Sequence, residues 1–148
     1  MNKKAAPVAY FDSSVLAKTY IRESGSDKGR QLVRTMQVIT SSIANVELSS
    51  AFRRNLTSGS IDEKAYSAIA KRFSEHRQKF RLVELTEHVL ERAEGYVKNF
   101  DVRALDALHL ASATVMSDQF PKSLPFITSD SRQRDVARQI GLKVIWVD

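Results

Sequence analysis

Short apolar runs alternate along the chain with longer stretches whose apolar residues recur every three or four positions. The runs are VAYFD (8–12), QVITS (37–41), RLVEL (81–85), FITS (126–129) and KVIWV (143–147). They are rich in the β-branched and aromatic residues that suit strands. Helices are predicted between them. SSVLAKTYIRE places Val15, Leu16, Thr19 and Tyr20 in helical phase with Ser13 as N-cap, and SGSDKGRQLVRTM follows. SSIANVELSSAFRRNL carries Ile43, Val46, Ser50 and Leu56 in phase and stops at Ser58-Gly59. SIDEKAYSAIAKRFSEHRQKF is amphipathic along Ile61, Ala65, Ile69 and Phe73, and TEHVLERAEGYVKNF begins at Thr86. ALDALHLASA follows a cap at Asp101, and SDSRQRDVARQIG closes at Gly141. Strands alternating with helices predict an α/β fold with a parallel sheet covered on both faces. With no repeat, linker or low-complexity tract, residues 1–148 read as one domain.

Composition narrows the class. A chain of 148 residues can bury a substantial core, and its lack of cysteine excludes disulfides, zinc ribbons and thiol catalysis. No apolar run approaches the roughly 20 residues that span a bilayer. The start, MNKKAAPVAYFD, turns polar too soon for a signal peptide, so the expectation is a soluble cytoplasmic protein without a membrane partner. The net charge is +6, unevenly spread: fourteen Lys and Arg face seven Asp and Glu through residue 80, against nine and ten thereafter. Arg53, Arg54, Lys71 and Arg72 belong to the basic part, which suits a polyanion or is simply a solvated helical face.

Against this background Asp106 stands out, because it interrupts the apolar, helix-prone ALDALHLASA. Aspartate in a helix interior costs roughly 0.7 kcal/mol relative to alanine, and burying it unpaired costs several more. Three other acids share such settings. Asp12 ends VAYFD, Asp130 follows FITS, and Glu47 lies in IANVELSSA. Parallel strands would bring Asp12 and Asp130 to the same rim, where sites form in open α/β sheets. Oxygen-rich clusters of this kind suit hard divalent cations. Each acid also has a plainer role open to it: Asp12 and Asp130 as helix caps, Glu47 paired with Arg54, Asp106 paired with Arg103.

YFDSSVLAKTYIRESGS, ITSSIANVELSSAFRR, VRALDALHLASA and FITSDSRQRDVARQIGLKVI, in this order and spacing, resemble the PIN domain ribonucleases, in particular the VapC-type toxins of toxin–antitoxin pairs. The resemblance implies a three-layer α/β/α PIN-like fold and an endoribonuclease that hydrolyses RNA with a metal-activated water. It further implies Mg2+ or Mn2+ held by Asp12, Glu47, Asp106 and Asp130, with Ser14 and Thr128 as supporting hydroxyls. Arg53, Arg54, Lys71 and Arg72 would contact RNA. A cognate antitoxin and a homodimer are the implied partners. Asp135 also lies in the last block, but within a helix rather than at a strand end.

Other classes fit less well. A receiver domain wants paired acids after its first strand, where FDSS offers one. An aspartyl phosphatase wants a second acid two residues on, where Ser14 stands. A non-catalytic nucleic-acid-binding module leaves the four acids unexplained. Serine–histidine catalysis lacks a serine elbow; His109, three residues after Asp106, reads as structural, and His76 and His88 as surface residues. A PIN domain nuclease with a housekeeping RNA-processing or DNA-directed role remains the alternative.

Overall fold

The computed structural model describes residues 5–120 and 122–148, so the reading of the MNKK start lies outside the described residues. Among these, five strands form one parallel sheet: β1 (Val8–Phe11), β2 (Gln37–Ser41), β3 (Arg81–Val83), β4 (Phe126–Thr128) and β5 (Val144–Trp146), in the order β3-β2-β1-β4-β5. The helices are α1 (Ser13–Lys18), α2 (Ser26–Thr35), α3 (Ala44–Thr57), α4 (Glu63–His76), α5 (Glu87–Asn99), α6 (Ala104–Ser117) and α7 (Ser131–Gln139). Together they give the three-layer α/β/α arrangement that the strand–helix alternation predicts.

The two-residue period of β1 explains the layers. Ala9 and Phe11 face one side, with Val15, Leu16, Leu48, Phe52, Ile69 and Phe73 from α1, α3 and α4. Tyr10 faces the other, with Val89, Ala93, Leu110, Ala111, Val136 and Ala137 from α5, α6 and α7. Both faces are dry, as a parallel sheet requires. Each fully buried leucine or phenylalanine here stabilises the fold by about 1.5–3 kcal/mol. α6 can be nearly all alanine and leucine because it is buried on most of its circumference, packing against both α5 and the sheet.

Three local expectations are corrected. Asp12, not Ser13, caps α1: its side chain accepts from the Ser14 backbone N–H. Aspartate at that position satisfies an orphan helix donor, which leaves the Ser13 hydroxyl free for another partner. Asp101 does not cap α6; the helix starts after Arg103, with no side-chain cap bond. The buried stripe of α3 is Ala44, Asn45, Leu48 and Phe52, whereas Val46 is 70 % exposed. α3 packs against α1 and α4, and Phe52 completes an aromatic cluster with Tyr20 and Phe73 that fixes its rotation.

The topology places the site. β2 and β3 lie on one side of β1, β4 and β5 on the other. The chain leaving β1 and the chain leaving β4 therefore diverge, opening a crevice at the carboxyl ends of these two strands.

Candidate active site

Asp12 leaves β1 at the mouth of this crevice and is 2 % exposed. Its Oδ2 accepts from the Ser14 backbone N–H at 3.1 Å and from Ser14 Oγ at 2.5 Å; its Oδ1 accepts from Gln133 Nε2 at 3.2 Å. Ser14 Oγ in turn accepts from the Ser129 N–H at 3.1 Å, tying the turn after β1 to the turn after β4. Thr128 repeats this bracing. Its hydroxyl donates to Gln133 Oε1 at 2.6 Å and accepts from the Asp130 N–H at 3.0 Å. Asp130 caps α7 through Oδ1, which accepts from the Gln133 N–H at 3.0 Å.

Asp106 enters from the first turn of α6. Arg103, one turn earlier, reaches both Asp106 Oδ2 at 3.4 Å and Asp130 Oδ2 at 3.6 Å with a largely exposed side chain. The plain pairing of Asp106 with Arg103 and the plain caps by Asp12 and Asp130 therefore all occur, yet the same three acids share one rim. Burial raises the Asp106 pKa above the usual carboxylate range. The nearby charges of Asp12 and Asp130 add to the rise, and Arg103 only partly opposes it.

Glu47 comes from the first turn of α3. It does not pair with Arg54, whose guanidinium donates to Ser50 Oγ instead. Glu47 Oε1 accepts from His109 Nε2 at 2.6 Å, and Oε2 accepts from Ser13 Oγ at 3.1 Å. His109 is fully buried, with Nε2 3.6 Å from Asp12 Oδ1 and Nδ1 2.8 Å from the Tyr10 hydroxyl. Burial alone works against the charged ring. Asp12, followed by the hydrogen bond and charge of Glu47, outweighs it, so the His109 pKa is raised. The Tyr10 phenol, buried and facing Asp12, is pushed well above its ordinary value.

His109 and Gln133 are thus the two site residues that the acid pattern does not reveal. Both had a spacing signal: each lies three residues after an acid, so one helical turn returns it to the face that the acid occupies. Asp135 is not part of the rim; it is exposed and pairs with Arg134. His76 and His88 are exposed, although His76 Nδ1 meets the Tyr20 hydroxyl at 3.0 Å.

The donor set is all oxygen and carries excess negative charge, which matches a hard divalent cation. Ser129 Oγ, between Thr128 and Asp130, is buried without a partner among the described residues. Among those residues, however, no three His, Asp or Glu side chains form a ready ligand set. The Arg103 guanidinium lies between Asp106 and Asp130. The residues fit such an ion in chemistry, and the Arg103 side chain that bridges two of them is 74 % exposed.

The basic residues lie elsewhere. Arg53, Arg54 and Lys71 are exposed on α3 and α4. Arg72 reaches the Thr19 carbonyl at 3.4 Å and lies over the Tyr20 ring. It also lines a cavity of about 1050 Å³ with Arg30, Arg34, His76, Lys79 and Arg81, at the amino ends of β1, β2 and β3. Among the described residues no carboxylate lines it.

The five-stranded parallel sheet with an acid rim at its switch point defines a three-layer α/β/α domain. The chain belongs to the PIN domain family, whose model matches residues 9–139. It is 33 % identical over 137 residues to Ribonuclease VapC46 of Mycobacterium tuberculosis, covering 92 % of this chain and 95 % of that protein. Two solved structures share the fold. VapBC2 from Rickettsia felis, bound to a promoter DNA fragment, matches with TM-score 0.64 and 11 % identity over 95 % of this chain and 99 % of that one. VapC20 of Mycobacterium tuberculosis, a toxin that cleaves the sarcin–ricin loop, matches with TM-score 0.63 and 17 % identity over 86 % and 94 %.

Proposed function

We propose that this chain is the ribonuclease toxin of a toxin–antitoxin pair and cuts RNA by cation-assisted hydrolysis in the cytoplasm. The observation that carries this is the gathering of Asp12, Asp106 and Asp130 at one crevice, with Glu47 joined to Asp12 through His109. The likeness to a ribonuclease over nearly the whole chain supports it. Among the described residues no helix is long and apolar enough to cross a membrane, in keeping with that location.

Asp12 and Asp106 would hold Mg2+ or Mn2+, with Glu47 and Asp130 completing the negative shell. When bound, such an ion acidifies water and neutralises charge developing on a phosphate. Glu47 or Asp130 would accept the proton released as water adds to phosphorus and the P–O3′ bond breaks, the leaving 3′ oxygen taking a proton from solvent. Ser14 and Thr128 hold Asp12 and the β4 turn, keeping the carboxylates convergent. Arg53, Arg54 and Lys71 supply positive charge for the RNA backbone. An antitoxin that covers the crevice with a basic side chain would meet Asp106 and Asp130, which already accommodate a guanidinium from Arg103. Leu90 and Val97, exposed two turns apart on α5, offer apolar contacts for a homodimer.

Expression in a bacterial host tests the reading. The wild-type chain is expected to arrest growth, and Asp106→Asn to relieve the arrest. In vitro, RNA cleavage should require Mg2+ or Mn2+ and stop with chelator. Cleavage that persists in chelator, or arrest that survives Asp106→Asn, would overturn it.

A further inference from the structure

Glu47 differs from the other acids in how it is held. Asp12 and Asp130 are fixed by their own helix caps, and Asp106 lies on its helix beside Arg103. Glu47 has no local anchor. Both of its oxygens are taken by residues distant in sequence, Ser13 at 3.1 Å and His109 at 2.6 Å. The contact with His109 is the shorter, and it is backed by a fully buried ring.

A carboxylate can only accept, so His109 Nε2 carries a proton and donates it in the bond to Glu47. The opposite ring nitrogen meets the Tyr10 hydroxyl at 2.8 Å, which prevents the ring from flipping without loss of a buried bond. Tyr10 is itself immobilised, stacked on Phe126 at 5.5 Å and edge-on to His109 at 5.9 Å. The chain Tyr10–His109–Glu47 therefore runs from β1 through α6 to α3, joining three elements that sequence-local contacts do not join. An imidazole in this setting fixes a carboxylate as a buried acid fixes the histidine of a catalytic triad, with the roles exchanged.

We propose that His109 is a positioning residue for the nuclease reaction: through its Nε2 it holds the Glu47 carboxylate at the acid crevice, and through Nδ1 it is held by Tyr10. This rests on the hydrolytic reading of the site. His109 is fully buried, so its effect passes through Glu47.

Two near-isosteric replacements separate the ends of the ring. Glutamine places its amide nitrogen where Nε2 stands, and asparagine places its amide where Nδ1 stands. His109→Gln is expected to keep the Glu47 bond and most of the activity. His109→Asn is expected to keep the Tyr10 bond and lower kcat by about 10–100-fold with little change in KM, the usual scale for groups that orient a ligand residue. His109→Asn added to Glu47→Gln should cost nothing further, because both act through one carboxylate. Equal losses in the Gln and Asn variants, or multiplying losses in the double variant, would overturn the assignment. A readout independent of activity is nitrogen NMR of the imidazole. The wild-type ring should show a slowly exchanging, strongly hydrogen-bonded Nε2–H that is lost in Glu47→Ala, which leaves no acceptor in place of the carboxylate. If RNA is not cut at all but this signal behaves as stated, the nuclease reading fails while the positioning of Glu47 stands. If the signal is unchanged by Glu47→Ala, the positioning itself fails.

Discussion

Gln133 donates its side-chain amide to Asp12 Oδ1 across a gap of 3.2 Å, joining the end of β1 to the first turn of α7. The same amide lies 3.4 Å from the Asp106 carbonyl and accepts from Thr128, so one fully buried side chain braces three of the elements that carry acids. Burying a polar group without partners is costly, whereas here every polar atom of the amide is used.

Gln133→Met keeps the volume and removes all three bonds. It is expected to destabilise the protein by about 1–3 kcal/mol, the cost of leaving Thr128 and Asp12 under-satisfied in the interior. Urea denaturation measures this. An unchanged midpoint would show that water replaces the amide without loss.

Asp106 gives a pH signature. Its carboxyl titrates above the ordinary range because it is buried and faces Asp12 and Asp130. Between the unfolded value of about 3.9 and the raised folded value, the native state holds a proton that the unfolded chain has released. Stability then falls as pH rises through that window. Asp106→Asn removes the effect, so in chelator the variant should melt above wild type at pH 7, the advantage fading as pH drops toward the lower limit. A thermal shift series in several buffers reads this out. A variant that melts below wild type at pH 7 would mean that Asp106 serves the fold through Arg103.

The identity of the attacking oxygen can be checked with a modified substrate. Enzymes that use the 2′-hydroxyl of RNA need an acid and a base that work near neutrality, usually histidines. The one histidine at this site is fully buried and engaged by Glu47 and Tyr10. Attack by water needs no 2′-hydroxyl, so a substrate with one 2′-deoxy sugar at the scissile position should still be cut, leaving 5′-phosphate and 3′-hydroxyl ends. Complete resistance, with a 2′,3′-cyclic phosphate from the normal substrate, would rule out hydrolysis.

Arg53, Arg54 and Lys71 should act on binding rather than chemistry. Replacing any one with glutamine is expected to weaken RNA binding irrespective of sequence, and to reduce the salt slope by about 0.7 per lost phosphate contact. Filter binding over a range of salt concentrations measures it. Arg72→Gln should also lower stability, since Arg72 packs on Tyr20 and bonds the Thr19 carbonyl. Salt slopes identical to wild type would place the RNA path on another face.

The sheet is legible in the sequence because parallel strands are short apolar runs, and QVITS reproduces β2 residue for residue. Asp12 and Asp130 are legible for the same reason, since strand ends fix their location. What sequence could not give was rotation. Val46 and Leu48 are both apolar in α3, and only tertiary packing of Phe52 on Tyr20 and Phe73 decides which turns inward. The spacing of His109 after Asp106 was legible, but its partners were not, because they lie 99 and 62 positions away. Gln133 looks like an ordinary polar residue in SDSRQRDVARQ; only convergence of α7 on β1 reveals it as interior.

The basic cavity at the amino ends of the strands and the acid rim at their carboxyl ends face opposite directions. β1, only four residues long, separates them by about 13 Å along its axis. The domain is consequently polar in the electrical sense, and it will rotate in the field of a highly charged partner before touching it. A nucleic acid approaching the cation-free protein is drawn to the basic end. A cation bound at the rim would weaken that bias without removing it, because the basic cavity keeps its charge.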